Sequence, residues 1–390
     1  MDLYYEKYLK YKEKYLNLKN SLLQKGGENN FSLLSFNILF PHEKVSLITF
    51  KTIFNTIFKL IEEENREENR ELIKKLKNTS GKFPDTIYEI IALADKKRYE
   101  EKRIYYILDI LDNYVGDSVI FLQEVNIFTL NMLKEKYKST SYILYNKEED
   151  VLILKGNDYS REEYRVIIIP IGHYTLIKTY DLPLFLENEN AIIKKNGVFA
   201  SIQDNINKKI YKLINVHFHY TFTPKIINTF IPIIKKIIEY NEDNEDNKDI
   251  VVFGGDTNKS LTELTELTDL MSGFNFSTTQ NESMPTFIKT DTLSSSPDHI
   301  LTSNLPGKIS IITENDRKQI LYDINIINDD IIRCLLKYKD LIVQSSLKIS
   351  IFNINSERAN LLIDELCSIL SVNENYISDH NPILFESIQN

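Results

Sequence analysis

The sequence predicts an α/β chain in which short buried strands carry polar residues at their ends. Three observations lead there. Apolar runs of strand length recur from Phe31 onward, helical stretches with charged faces interrupt them, and the middle of the chain is a succession of strands with little helix between. FSLLSFNIL is the first buried strand. From Glu43 to about Asn113 the pattern is helical and highly charged, and EEENREENRELIKKLK within it reads as a solvated helix face. SVIFLQEV is the next strand and NIFTLNMLKEKY the helix after it. SYILYN, VLILKG, YRVIIIPI, YTLIKTY, AIIKK and GVFASIQ then read as a meander of hairpins rather than strict alternation of β and α units. KIYKLINVHFHY is a further strand, PKIINTFIPIIKKIIEY a helix opened by proline, NEDNEDNK an acidic loop, and DIVVFGGDTN a strand ending in glycines. Beyond DHIL lie the helical DDIIRCLLKYKDLI, the strand-like LKISIFNI, the helical SERANLLIDELCSIL and a last strand, NPILFESI.

Composition sets the outer limits. The chain has 390 residues, 42% of them hydrophobic, which is ample for a large core. A net charge of −9 excludes a surface built as a whole to hold nucleic acid nonspecifically, while a local basic groove stays compatible with it. The two cysteines, Cys334 and Cys367, form no disulfide framework and point to a reducing compartment. No apolar run is long enough to span a bilayer, and the start of the chain lacks a signal-peptide core.

Residues 1–27 stand apart. Tyr4, Tyr8, Tyr11, Tyr15, Leu18 and Leu22 recur at four- and three-residue steps, which lays them along one helical face, and Gly26-Gly27 ends the helix. Such a segment docks on its own domain or on a partner protein. The string YLKYKEKYLNLKNSLLQKGG resembles the N-terminal segment of many proteins of giant nucleocytoplasmic DNA viruses. That resemblance implies virion packaging, with residence in the virion or the host cytoplasm.

Six polar motifs follow in fixed order: Asn37 in LLSFNILF, Glu124 in FLQEVN, His217 in INVHFHY, Asp256 and Asn258 in VVFGGDTN, Asp298 and His299 in SPDHIL, and Asp379 and His380 in YISDHNPIL. Each sits at or just beyond the end of an apolar run, where a buried strand hands its last side chains to a cleft. Taken singly, each has an ordinary reading. An Asp-Asn turn is common, a carboxylate before a helix stabilises its N-terminus, and a strand histidine is usually a satisfied structural residue. Taken together, carboxylates, amides and histidines at one sheet edge make a metal-dependent phosphate-cleaving site. Extended backbone would put Asp256 and Asn258 on one face, able to reach one phosphate or one attacking water. Glu124 suits a hard cation such as magnesium. Asp298 is placed to orient His380, and Asp379 to support metal or water. His217 shares a strand face with Asn215 and His219. Zinc is disfavoured, because no cysteine ligand pattern and no HExxH occurs.

The order of these motifs, with GDxN and the terminal SDH as the most specific elements and LQEV upstream, resembles the endonuclease/exonuclease/phosphatase superfamily. The likeness runs from about Phe31 to the C-terminus. It implies a four-layer α/β/β/α sandwich of DNase I type over residues 30–390, with helical insertions at about 43–113 and 306–373. It also implies magnesium, with manganese as the substitute. By position, Asn37, Glu124 and Asp379 would serve the metal; His217, Asp256, Asn258, Asp298 and His380 would serve catalysis; Asn37, His217 and Asn258 would touch substrate. The implied activity is hydrolysis of a phosphodiester in nucleic acid by an endonuclease, an exonuclease or a 5′-tyrosyl-DNA phosphodiesterase-like enzyme. Two alternatives stay open: a phosphoesterase acting on inositol polyphosphates or sphingomyelin, and a catalytically retired virion interaction protein.

Overall fold

The computed structural model describes residues 30–38, 82–154, 157–188, 191–218, 249–264, 297–303, 305–312, 330–338, 357–370 and 380–388, together with single positions and short pieces elsewhere. The amphipathic segment 1–27, most of 39–81, the acidic loop, the strand-like LKISIFNI, His219 and Asp379 lie outside the described residues. Of the helix expected over 224–240, only 231, 232, 234 and 235 are described, all helical.

The predicted α/β class holds. The strands are β1 (Ser32–Asn37), β2 (Val119–Val125), β3 (Ser141–Leu154), β4 (Asn157–Pro170), β5 (Tyr174–Asn188), β6 (Ala191–Asp204), β7 (Ile210–His217), β8 (Ile250–Asp256), the two-residue β9 (Phe276–Ser277), β10 (Phe287–Ile288) and β11 (Ser294–Ser295), then β12 (Asp298–Ser303), β13 (Gly307–Ile311) and β14 (Ile383–Ser387). Among the described residues the helices include α1 (Lys82–Arg98), α2 (Ile104–Asp112), α3 (Ile127–Tyr137) and α4 (Glu357–Leu370). The meander was read as more, shorter strands. SYILYN and VLILKG are one strand, β3, and AIIKK and GVFASIQ are one strand, β6, because long antiparallel hairpins carry the polar residues between them in register.

The first sheet runs β13-β14-β1-β2-β4-β3, and the second runs β6-β7-β8-β12-β9 with β5 on β6. The single pair Glu149–Lys194 between β3 and β6 joins their edges. Period-two alternation explains the layering. On β1 and β2, Leu33, Val119 and Phe121 face the second sheet, where they meet Leu213, Val252 and Ile300. Leu34, Phe36, Ile120 and Leu122 face the other way and pack on Ile104, Leu108, Leu130 and Leu133 of α2 and α3. Strands covered on both faces read as continuous apolar runs, as these do.

A further cluster contains no strand residue. Ile87, Ile90 and Ile91 of α1 pack with Leu362, Leu366 and Leu370 of α4 and with Ile331 and Leu335 of a helical stretch over 330–337. The helices α1, 330–337 and α4 therefore fold against one another as one helical module, joined at the surface by Lys97–Asp364 and Lys337–Glu365. Neither cysteine forms a disulfide, and both are buried, Cys334 in this module. Among the described residues, no helix is long and apolar enough to cross a membrane.

Candidate active site

The space between the sheets changes character along the strands. At one end it is filled by Phe31, Tyr174, Tyr211 and Phe385, with Phe31 stacked on Tyr211 at 4.5 Å between ring centroids. At the other end the same inward-facing positions turn polar, and there the candidate residues gather.

Asn37 is the last residue of β1 and fully buried. Its Nδ2 donates to Glu124 Oε1 and to Asp256 Oδ2, each at 2.9 Å. One amide thus ties together carboxylates from strands in different sheets. Glu124 reaches this point through a backbone irregularity. Leu122 faces the helices, so plain alternation would turn Glu124 to the helices as well. Instead the pairing of β2 with β4 shifts register between Leu122 and Val125, and Glu124 takes a φ of 56°. A bulge re-aims a side chain in this way. The helix-terminus role is filled by another residue, since Asn126 caps α3 by accepting from Thr129 N.

Asp256 closes β8, buried and at the centre of the cluster. The preceding Gly255 has φ 127°, and a Cβ there would lie 2.0 Å from Val216 O, so only glycine fits. Asn258 departs from the extended-strand expectation. β8 stops at Asp256, and Asn258 adopts a left-handed φ of 52°. Its backbone N–H donates to Asp256 Oδ1 and its Nδ2 to Phe218 O, both at 2.8 Å. Thr257 fastens the turn by donating to Pro297 O beside β12.

Two histidines converge on the same carboxylate. His380 Nε2 lies 3.6 Å from Asp256 Oδ2, and its Nδ1 is 2.8 Å from Asp298 Oδ2. His217 Nε2 lies 3.7 Å from both Asp256 Oδ2 and Glu124 Oε1. His299, one residue beyond Asp298, faces away and meets Lys259 O at 2.8 Å.

Two residues here escaped the sequence reading. Glu163, on β4, places Oε2 3.8 Å from His217 Nδ1, and Arg165 donates to His217 O at 3.2 Å. Both are buried. The expected strand YRVIIIPI begins at Tyr164, and neither residue was given a role there. The usable signal was parity, since 163 and 165 share a face with the inward Ile167 and Ile169. Beneath the cluster, Asn215 binds Gln123 and the carbonyls of Leu122 and Val166, which ties the sheets together.

Among the described residues, the four carboxyls of Glu124, Glu163, Asp256 and Asp298 crowd around Arg165 and the two histidines. Burial pushes the Asp256 carboxyl above the ordinary carboxylate range; Asp298 adds to the shift, while His380 and His217 oppose it. A cation relieves such crowding. Glu124, His217 and Asp256 present ligand atoms within 4.8 Å of one another, and so do Asp256, Asp298 and His380. Carboxylate oxygens dominate the donors, which fits magnesium or manganese rather than a thiolate-seeking ion.

No protein-family model matches this chain, and no curated protein sequence matches it. Solved structures do. An endonuclease/exonuclease/phosphatase from Bacteroides vulgatus superposes over 93% of this chain and 100% of its own, at 12% identity and a TM-score of 0.51. The human Nocturnin catalytic domain covers 93% and 95%, at 10% identity and a TM-score of 0.49. D. rerio TDP2 humanized by 14 mutations covers 93% and 100%, at 13% identity and a TM-score of 0.48. At 12% identity the Bacteroides likeness concerns the fold, and it agrees with two mixed sheets flanked by helices.

Proposed function

We propose that this chain is a divalent-metal-dependent phosphodiesterase acting on nucleic acid. The observation that carries the reading is the convergence on Asp256, whose Oδ2 receives Asn37 at 2.9 Å and faces the Nε2 atoms of His380 and His217 at 3.6 and 3.7 Å. Residues separated by more than 300 positions meet at one carboxylate, where fixed groups are most effective in catalysis.

Glu124 and Asp256 would hold magnesium, with manganese as the substitute and Asp379 as a further support. When bound there, such an ion would supply positive charge to offset that on the phosphate and on the departing oxygen. Asp256 positions the attacking water. As the new phosphorus–oxygen bond forms and the ester bond breaks, the water's proton passes to Asp256 or to His380. Asp298 holds His380 by Nδ1, which leaves Nε2 aimed at the reacting centre and would stabilise the imidazolium formed when the ring takes that proton. His217, backed by Glu163, meets a nonbridging oxygen or the leaving group. Asn258 keeps the Asp256 carboxylate in place by its backbone and stands beside the water.

The Bacteroides neighbour's name spans nucleases and phosphatases, so the substrate class is settled by assay. Single-stranded, nicked and 5′-tyrosyl DNA, RNA, inositol polyphosphates and sphingomyelin are offered with magnesium. Cleavage of the nucleic acids, lost in excess chelator and in Glu124→Gln, is the expected result. Exclusive turnover of inositol phosphates or sphingomyelin would replace the substrate assignment, and no turnover of any would leave a retired scaffold. Packaging through residues 1–27 is a separate proposal, tested by mass spectrometry of virus particles; absence of the chain from them removes it.

A further inference from the structure

Between α1 and α2 the helix widens into a π turn at Tyr99–Arg103. Such turns insert one residue into a helix and recur at functional sites. This one sits at the junction of two packing units. The α1 residues before it belong to the helical module, whereas Tyr99 and the α2 residues after it pack against the first sheet.

One end of the turn touches the end of β1, and the other touches the helix that follows β2. Arg103, buried, donates through Nη2 to the carbonyl oxygen of Ile38, the neighbour of Asn37. Tyr99, fully buried, exchanges a hydrogen bond with Thr129 Oγ1 in the first turn of α3. Thr129 N is in turn held by Asn126, two residues after Glu124. The Arg103 guanidinium lies 5.0 Å from the Tyr99 ring centroid, which couples the two contacts by a cation–π interaction. Ile38 N also donates to Gln123 O at 3.2 Å, so the two strand ends are linked directly.

We infer that Arg103 and Tyr99 are positioning residues that fix Asn37 and Glu124 in the geometry needed to hold the divalent ion. The inference rests on the phosphodiesterase reading, because it gives these side chains a task only if that site works. Neither residue touches the reacting atoms. Arg103 acts through Ile38 on Asn37, and Tyr99 acts through Thr129 and Asn126 on the backbone after Glu124. Supporting partners of this kind typically change metal affinity or activity by about 10–100-fold. The left-handed backbone at Glu124 is the part most in need of such support, since that conformation is held by its surroundings.

The test is a double-mutant cycle on the full chain. Arg103→Met, Asn37→Ala and the double variant are compared for manganese affinity, read from ion-dependent Tm shifts, and for manganese-dependent hydrolysis of bis(p-nitrophenyl) phosphate. Tyr99→Phe, which removes only the hydroxyl, serves where Arg103→Met fails to fold. Arg103→Met should weaken manganese binding and lower turnover by about tenfold or more. Arg103→Lys should recover part of it, and in the Asn37→Ala background the same change should cost little further, because both act on one element. Unchanged ion affinity with only a lowered metal-free Tm would assign these residues a purely structural role and overturn the inference, as would independent, multiplying effects. A wild-type protein with neither ion-dependent stabilisation nor hydrolysis would remove the functional reading, and the inference with it.

Discussion

Two ion pairs of nearly equal length mark two regions built on different terms. At the site, His380 Nδ1 meets Asp298 Oδ2 at 2.8 Å with 6% and 3% of the side chains exposed. On the helical module, Lys337 Nζ meets Glu365 Oε2 at 2.7 Å with 61% and 36% exposed. Length does not separate them; solvent does. At the module surface water screens the charges, and Lys337 beside Glu365 merely holds that carboxyl below its usual range. Between the sheets the cost of burying charge is large and is met only by partners or a cation. The module is therefore held by its apolar seam, and the site by its polar network.

The largest effect separating the regions is on rate. Asp256→Asn should lower turnover by at least about two decades, the low end for a group that positions or deprotonates water. Circular dichroism and a melting curve should show that the variant stays folded. Full activity would remove Asp256 from the mechanism. Gly255→Ala forces a Cβ onto Val216 O, and it should cost about 2 kcal/mol or more in urea unfolding together with turnover, because the strained segment carries Asp256. Ile91→Ala, in the fully buried seam of the module, should cost about 2–5 kcal/mol yet leave manganese affinity unchanged once the protein is folded. A parallel loss of affinity would show that the module and the site are one energetic unit.

The pH dependence has a definite sign. Burial raises the Asp256 pKa in the folded chain, so the folded state binds this proton more tightly than the unfolded state does. In chelator, that term makes stability fall as pH rises from the ordinary carboxylate range through the raised folded value. Asp256→Asn should flatten this part of the profile, and added manganese should stabilise most at the high-pH end. An unchanged profile in the variant would locate the titration elsewhere. The smallest effect belongs to Lys337→Ala, whose Tm and turnover should match those of the wild type; a clear shift in either would give the exposed pair a weight its screening denies.

The strand ends were legible because apolar runs that stop at a polar residue report where a buried strand meets a cleft. Asn37, Glu124, His217, Asp256, Asp298 and His380 were all found that way, and all six meet. What stayed hidden depends on backbone geometry or on parity. The bulge that turns Glu124 inward leaves no mark in VIFLQEV, where alternation alone sends that side chain to the helices. Asn258 was placed beside Asp256 on an extended strand, but the strand ends at Asp256, two residues too soon. Glu163 and Arg165 were given no role, although their parity with Ile167 and Ile169 pointed inward. That α1 and α4 pack on each other could not be read at all, since an amphipathic stripe specifies a partner surface without saying whose it is.

Anomalous diffraction from crystals grown with manganese tests the central claim most directly. The account predicts a peak at coordination distance from the Glu124 carboxylate, within the space bounded by Asp256 and His217, and its disappearance in Glu124→Gln. Manganese bound elsewhere, in a protein that still hydrolyses phosphodiesters, would contradict it.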